Sequence, residues 1–520
     1  MFNKRAIVGK TAEVGFWTMA SRILGIAREA LMMRYLGASA LAAAFLTAYK
    51  IPNGLRKVFA EGAMSAAFVP TLAATVHDEG RSAANGLMAL AFLVFEGLVL
   101  LLCVLGIVYA NAIIAFIVPG FTPEKIAISA ECLRVVMPFI FFISSSALFA
   151  GALQSVGHFF VPAFSPVLLN VIFIATILLC KWFDLSLHYL CWGILVGGVA
   201  QFVLHIIVYL YNSFGFGAIS WRDVKQLKDV LIRFLLCLPS ISVMELSLFV
   251  DTSFASYLKD SAIPLIYLAN RFVGIPLGVF AVAFATVLLP HFSRVVRYAP
   301  KRLSFYILEG TKLVFWVSLP IAVLMWYFAE NIFETLFLCD GKFTMEHVVE
   351  AAAILRAFLI GLFFFSLNKV ILSVYYALKV AWVPALIASI SALCNVLFNW
   401  LLIDYLQAVG LAFATTCADI IRTLLFLLIL HYGYNYKLYI GRQMRFFVCY
   451  IIQVGVMWLP FWILYRIMGY GIDMYIPSSC AWFFMHSIGF WFWVGPLSLL
   501  FIASLWITRH WFYNPVYFLE

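Results

Sequence analysis

Charge is what this sequence is short of. Only 11% of its 520 residues are Asp, Glu, Lys or Arg, against about 25% in soluble domains. Hydrophobic residues make up 65%, and the mean hydropathy is +1.03. Such a chain is no ordinary soluble enzyme, because most of it must face lipid or other apolar chain. Paired cysteines are missing too. The ten Cys occur singly, with no C-x-x-C, and Cys103, Cys237 and Cys417 lie in apolar runs. That excludes a zinc ribbon, an attached haem or a disulfide framework. There is no H-E-x-x-H and no paired-acid motif of a membrane glycosyltransferase. Gly9-Lys10-Thr11 ends like a phosphate-binding loop, but Lys4 stands where its first Gly belongs. The two longest polar stretches, 212–229 and 330–347, are too short to fold into a catalytic domain. No enzyme is expected. The net charge of +10 is expected to serve cytoplasmic loops rather than nucleic acid.

Long apolar runs are what is there. The first, 12–36, is too long for a signal-peptide core and reads as a retained helix. Fourteen candidate spans follow from runs of about 20 residues: 12–36, 40–76, 86–117, 127–152, 161–181, 187–212, 230–257, 262–292, 303–329, 348–376, 382–403, 407–432, 444–468 and 480–508. Alternating sides from an inner N-terminus puts seventeen Lys and Arg inside and six outside. That bias predicts both termini in the cytoplasm. The 40–76 run is too long for one straight crossing, and Pro52-Asn53-Gly54 is expected to break it.

The chain also resembles itself. At an offset of 222, Leu133–Ala163 lies over Leu355–Ala385 with eight identities in 31 positions, among them Arg134/Arg356, Ser144/Ser366 and Pro162/Pro384. Ala48-Tyr49-Lys50 falls over Ala269-Asn270-Arg271 at 221, and Pro70 over Pro290 at 220. An even number of helices per copy gives parallel repeats. These predict an all-α polytopic membrane protein with a six-helix lobe at 1–215, a second at 222–435 and two additional helices at 440–510. In transporters of this layout, the substrate site lies between lobes near the midplane.

Cations sit inside the spans. Arg22 and Arg28 flank Gly25 in the first, Arg56 follows the break in the second, and Arg271 lies within the eighth. Each charge at a helix centre costs around 2.5–3.5 kcal/mol, so four cost on the order of 10 kcal/mol if additive. Acids nearby are few: Glu13, Glu29 and Glu61, with Arg22 and Glu29 close to one helical face and none beside Arg271. Gly25 is a point where the helix could bend to bring Arg22 and Arg28 together. Guanidinium forks match phosphate oxygens, so the set predicts a phosphate- or diphosphate-bearing substrate. A cation antiporter would instead want acids here.

At these residues the sequence resembles the MurJ (MviN) lipid II flippases of the multidrug/oligosaccharidyl-lipid/polysaccharide exporter superfamily. Three segments carry the likeness. They are Ser21-Arg22-Ile23-Leu24-Gly25 through Arg28, Lys50-Ile51-Pro52-Asn53-Gly54-Leu55-Arg56 into Phe59-Ala60-Glu61-Gly62-Ala63, and Ala269-Asn270-Arg271 before Pro276-Leu277-Gly278-Val279. The resemblance implies transfer of the undecaprenyl-diphosphate-linked peptidoglycan precursor across a bacterial cytoplasmic membrane. It implies Arg22, Arg28, Arg56 and Arg271 as substrate-binding residues, with Ser21, Lys50 and Glu61 beside them. It also implies a lipid-tail groove on the last two helices, which carry Trp482, Trp491, Trp493 and Trp506. Partners would be the lipid-linked precursor, membrane lipids and other cell-wall synthesis proteins. No cofactor is implied beyond sodium, for which Asp251, Asn395, Asn399 and Thr415 offer hard oxygens; hydrogen bonding between helices is the alternative use of these groups. Ala43, Gly274 and His158 depart from the family pattern of an acid, an acid or amide, and a basic residue. A sibling exporter of another polyprenyl-diphosphate-linked glycan, or a drug/cation antiporter, is the alternative function.

Overall fold

The computed structural model describes residues 4–61, 63–380, 382–512 and 514–519. The side chains of 4–12, 61, 63–66, 236, 237, 239–244, 479 and 519 lie outside the description, and with them those of Glu61 and Cys237. The described chain is helical almost throughout, which follows from the composition. In an apolar surrounding every backbone N–H and C=O must be satisfied internally, and a helix does that within one segment.

In chain order the helices are α1 (Lys4–Leu36), α2 (Ala40–Arg56), α3 (Ala63–Glu79), α4 (Arg81–Val108), α5 (Ala110–Ile117), α6 (Pro123–Val136), α7 (Phe139–Ser155), α8 (Phe160–Trp182), α9 (Leu187–Tyr211) and α10 (Trp221–Ala255). Then come α11 (Ala262–Pro276), α12 (Val282–Tyr298), α13 (Leu303–Tyr327), α14 (Ala329–Phe337), α15 (Met345–Ala377), α16 (Trp382–Leu428), α17 (Ile440–Tyr475), α18 (Ser478–His486) and α19 (Phe490–Thr508). Ten helical rods among the described residues are long and apolar enough to cross a membrane. One of them is double: α16 is broken at Gln407, where φ is +49°. That break falls where 382–403 was expected to give way to 407–432. The rods outside the ten include α1, which carries Arg22 and Arg28, and α2, which carries Arg56; Arg271 lies on α11, within the ten.

Helices in this setting are apolar all round, and the burial pattern says which side faces in. On α4, Phe95, Val99 and Cys103 are buried while Leu93, Leu100, Leu101 and Val104 are exposed. The exposed side of each rod is as hydrophobic as the packed one, as lipid contact requires.

The internal duplication is preserved in the helix boundaries. Pro123–Ser155 and Met345–Ala377 are rods of 33 residues related by 222 at both ends, since 345 − 123 and 377 − 155 are both 222. Each is N-capped by threonine, Thr122 in one copy and Thr344 in the other. A π-helical turn, Lys57–Glu61, follows α2, and another, Leu277–Ala281, follows α11, 220 residues on. The break in the second span thus comes after Arg56 and not at Pro52-Asn53-Gly54. Helix α2 continues through Pro52, and the π-turn downstream absorbs the misfit by widening the ladder. Gly54 faces the Phe249 ring, which a Cβ there would meet at an ordinary contact distance of 3.4 Å.

The chain divides into two compact units, Met1–Pro264 and Leu265–Glu520. Helix α10 packs on α3 and α4 of the first unit. In that unit the 212–223 linker is bound to the start of α4. Gly215 N–H donates to Asn85 Oδ1 (2.9 Å), Gly217 N–H to Asn85 O (3.1 Å) and Arg81 Nη1 to Asn212 O (2.7 Å). In the second unit α17 and α19 pack on each other and on α13 through Phe315, Tyr450, Phe461, Trp493 and Phe501. Tyr450 donates to Trp316 O (2.6 Å), and Gln453 to Leu505 O (2.8 Å).

Candidate functional site

In the first unit the cations stand on α1 and α2. Helix α1 runs unbroken through Gly25, so the bend that would join Arg22 to Arg28 does not occur. Six residues on a straight helix separate two side chains by about 120°, and the two arginines have different surroundings. Arg28 is buried against α8. Its Nη1 donates to Asn170 Oδ1 (3.0 Å), its Nη2 to Glu29 Oε1 (2.5 Å), and its guanidinium lies over the Phe173 ring. Glu29 therefore pairs with Arg28, its chain neighbour, and not with Arg22 as the helical-face reading suggested. Arg22 is half-buried and has no hydrogen-bond or ion-pair partner among the described residues. Ser21 is held from α8 as well: Asn170 Nδ2 donates to Ser21 O (3.0 Å) and Oγ (3.3 Å). One amide thus fixes the backbone beside Arg22 and the fork of Arg28.

The segment around the π-turn is laid along α10. Lys50 Nζ donates to Leu248 O (2.7 Å) and to Thr252 Oγ1, and Lys57 Nζ to both oxygens of Glu245 (2.8 and 3.0 Å). Arg56, between them and half-buried, donates from Nε to Asn53 Oδ1 (3.1 Å). The two lysines are thereby committed within the protein, Lys50 among them although the family likeness implied it for substrate. Asp251, expected among sodium ligands, exerts its charge on Lys50.

In the second unit Arg271, five residues before the π-turn partner Pro276, is exposed and has no partner among the described residues. A Cβ on Gly274, one of the family departures, would meet nothing within 4 Å. A second departure, Ala43, is buried within α2. Asn395, Asn399 and Thr415 form one ladder. Asn399 Nδ2 donates to Asn395 Oδ1 (3.2 Å), Asn395 Nδ2 to Thr415 Oγ1 (3.2 Å), and Thr415 Oγ1 to Leu411 O (3.1 Å). These three belong to the second unit and Asp251 to the first. No cluster of three His, Cys, Asp or Glu suited to a metal occurs among the described residues. On the C-terminal helices Trp493 is buried, Trp491 donates to Thr335 Oγ1 (2.9 Å), Trp506 stacks on Arg509, and Trp482 is exposed.

Sequence reasoning missed Asn170, Asn53, Glu245 and Thr252. For Asn170 a signal existed, a lone amide in the apolar run Leu168-Leu169-Asn170-Val171, since polar groups in spans face protein or a wet cavity. Glu245, an acid within the 230–257 run, offered a signal of the same kind, though none that named its partner Lys57; Thr252 offered none.

A duplicated all-helical chain with ten rods long and apolar enough to cross a membrane, and with two arginines that have no partner among the described residues, has the make-up of a membrane transporter. The chain belongs to the lipid II flippase MurJ family, whose model matches residues 32–482. It is 31% identical over 487 residues to the probable lipid II flippase MurJ of Buchnera aphidicola subsp. Acyrthosiphon pisum, covering 91% of this chain and 93% of that one. It is 32% identical over 423 residues to the lipid II flippase MurJ of Burkholderia cenocepacia, covering 80% and 82%. Among solved structures, a lipid II flippase MurJ in an inward closed conformation shares the fold with a TM-score of 0.75 and 24% identity, covering 96% of this chain and 99% of that one. Membership of this family makes the chain a multi-pass bacterial membrane protein.

Proposed function

We propose that this protein carries an undecaprenyl-diphosphate-linked peptidoglycan precursor, lipid II, from the inner to the outer leaflet of the cytoplasmic membrane by alternating access. The observation that carries the reading is the pair Arg22 and Arg271. Each is a guanidinium within a membrane-spanning helix, and neither has a partner among the described residues. Each would pay the insertion penalty without a protein counter-charge, unless a ligand phosphate supplies one in the working cycle. Arg28 and Arg56 are held by Asn170 and Asn53 with donors oriented, which suits them to the same diphosphate. Parallel repeats support alternating access. An inside-negative potential adds about 2.3 kcal/mol per 100 mV for each negative charge moved outward.

Fourteen crossings belong to the proposal: the ten rods, one more for the break in α16, and α1, α2–α3 and α10. Both termini are then cytoplasmic, as the seventeen-to-six distribution of Lys and Arg supports. Sodium at Asn395, Asn399 and Thr415, and contact with other cell-wall synthesis proteins, are further parts of it. The former is tested by sodium-dependent thermal stabilisation that Asn399→Ala removes.

Leaflet exposure of lipid II in cells depleted of the protein tests the whole reading. Externally accessible lipid II should fall on depletion and recover with the wild-type chain, but not with Arg22→Ala or Arg271→Ala. Recovery with both variants would refute it. The alternative cargo, another glycan on the same polyprenyl diphosphate, predicts unchanged lipid II exposure on depletion.

A further inference from the structure

Away from the arginines, one carboxyl has no use in the transport reading. Glu96, midway along α4, is 2% exposed. Its Oε1 accepts a hydrogen bond from Ser144 Oγ of α7 (2.7 Å), and the fully buried Ser145 adjoins the same carboxyl. Glu96 Oε2 and Ser145 Oγ are both buried without a hydrogen-bond partner. No Lys, Arg or His pairs with Glu96 among the described residues. A buried carboxylate facing only hydroxyls is strongly penalised unless a small cation neutralises it.

The second copy shows that packing does not demand an acid there. At the offset of 222, Ser318 of α13 stands for Glu96 and Ser366 of α15 for Ser144. Both serines border a cavity of about 10 Å³, closed on another side by Phe280 and Ala281 of the π-turn. The Ser318 hydroxyl is buried and unpartnered. The same helix pair therefore closes with a hydroxyl and a small void where the first copy places a carboxyl.

We propose that Glu96 is a proton-binding site of the first unit, taking up one proton from water at Oε2 while Oε1 keeps the Ser144 hydrogen bond. Helix α7 packs against both α4 and the π-turn next to Arg56, so occupancy of the carboxyl sets the contact that backs that turn. A proton suits the site better than a larger ion, because Glu96, Ser144 and Ser145 supply only four side-chain oxygens. The surrounding ionisable groups are few. Helices α5 and α7 carry none, and Cys103 lies two turns along α4 itself. On α10, Arg233 adjoins Phe234, which packs on Phe95, and it is exposed. On α6, Glu131 is exposed and Arg134 half-buried, and α3 holds His77, Asp78 and Glu79 at its end.

Infrared spectroscopy of the full-length protein in nanodiscs tests this. The wild type should show a carboxylic-acid C=O band that shifts in D2O and is lost in Glu96→Gln. Glu96→Ser, which copies the second unit, should lose the same band and covers the case in which the amide variant does not fold. A band unchanged in both variants overturns the proposal. So does a sodium-dependent gain in thermal stability that is present in the wild type and lost in Glu96→Gln, because the cation would then be sodium.

Discussion

Arg28 and Arg22 are six residues apart on one helix, and the structure predicts opposite consequences for removing them. Arg28→Ala deletes the 2.5 Å pair with Glu29 and the 3.0 Å bond to Asn170 at a site where Arg28 is 9% and Glu29 2% exposed. Removing one partner of a buried pair costs about 3–5 kcal/mol, so this variant should be markedly less stable. Arg22→Ala and Arg271→Ala remove side chains that bond to nothing described, and each should stay within about 0.5 kcal/mol of wild type. Transport separates differently. A hydrogen bond to a charged group contributes about 1.5–3 kcal/mol, equivalent to about 10–150-fold in affinity, and all three variants should lose lipid II exposure by at least that order. Denaturant unfolding of the purified variants gives the first quantity, and leaflet exposure in a depleted strain gives the second. Arg28→Ala with Glu29→Ala should regain much of the stability and none of the transport. The reasoning is refuted if Arg22→Ala is destabilised as much as Arg28→Ala, or if the double variant transports normally.

Asn170→Leu should lower stability by about 1.5–3 kcal/mol, since it strips Arg28 of a charge-assisted bond, and should reduce transport although Asn170 is itself only a positioning residue; unfolding and leaflet-exposure measurements check the two effects. Gly86→Ala places a Cβ 2.6 Å from Asp223 Oδ2 and 2.8 Å from Ala218 O, so overpacking of about 1–3 kcal/mol is expected, read as a lower unfolding midpoint. Asp223 caps α10 outside the spans. Burial pushes its carboxyl up, but bonds from Ser220 and Arg222 outweigh that and hold it below the usual carboxylate range. A carboxyl lowered in the folded state stabilises fully above its unfolded value of about 3.9 and loses that contribution as pH falls through the lower folded value. The difference in stability between wild type and Asp223→Asn should therefore be constant from pH 7 to 5 and shrink below about pH 4.

The membrane class, the rods and the repeat were legible because hydrophobic run length and self-similarity are local properties of the string. The four arginines were legible for the same reason, since a cation in an apolar run is conspicuous wherever it folds. Partners were not. Glu29 lies next to Arg28 and seven residues from Arg22, and helical periodicity favoured the wrong arginine; what decided it was Asn170, delivered by α8 from 142 residues away. The break in the second span was foreseen but misplaced by a few residues, because proline marks where a ladder is weakened, and the widened turn forms where neighbouring helices tolerate it. The contacts of α10 with α3 and α4 were not legible either, because run length says nothing of which helices pack together.

Duplication also explains how a buried cation can become available to a substrate. Lys50 and Arg271 stand at equivalent positions, 221 residues apart, each followed within ten residues by a π-turn. In the first copy Lys50 is consumed by Leu248 O and Thr252 on α10; in the second the equivalent arginine is exposed and bonds to nothing described. One scaffold position thus serves as a helix clamp in one half and as an open donor fork in the other. Exchanging the residues separates the roles. Arg271→Lys keeps the charge but loses the planar fork, and should impair transport with stability unchanged, because ammonium cannot make the bidentate phosphate contact. Lys50→Arg should instead lower stability, because a larger head must fit between Leu248 O and Thr252, while the free fork of Arg271 stays intact. If Arg271→Lys transports as well as wild type, charge alone suffices at that position and the fork has no special part in holding the diphosphate.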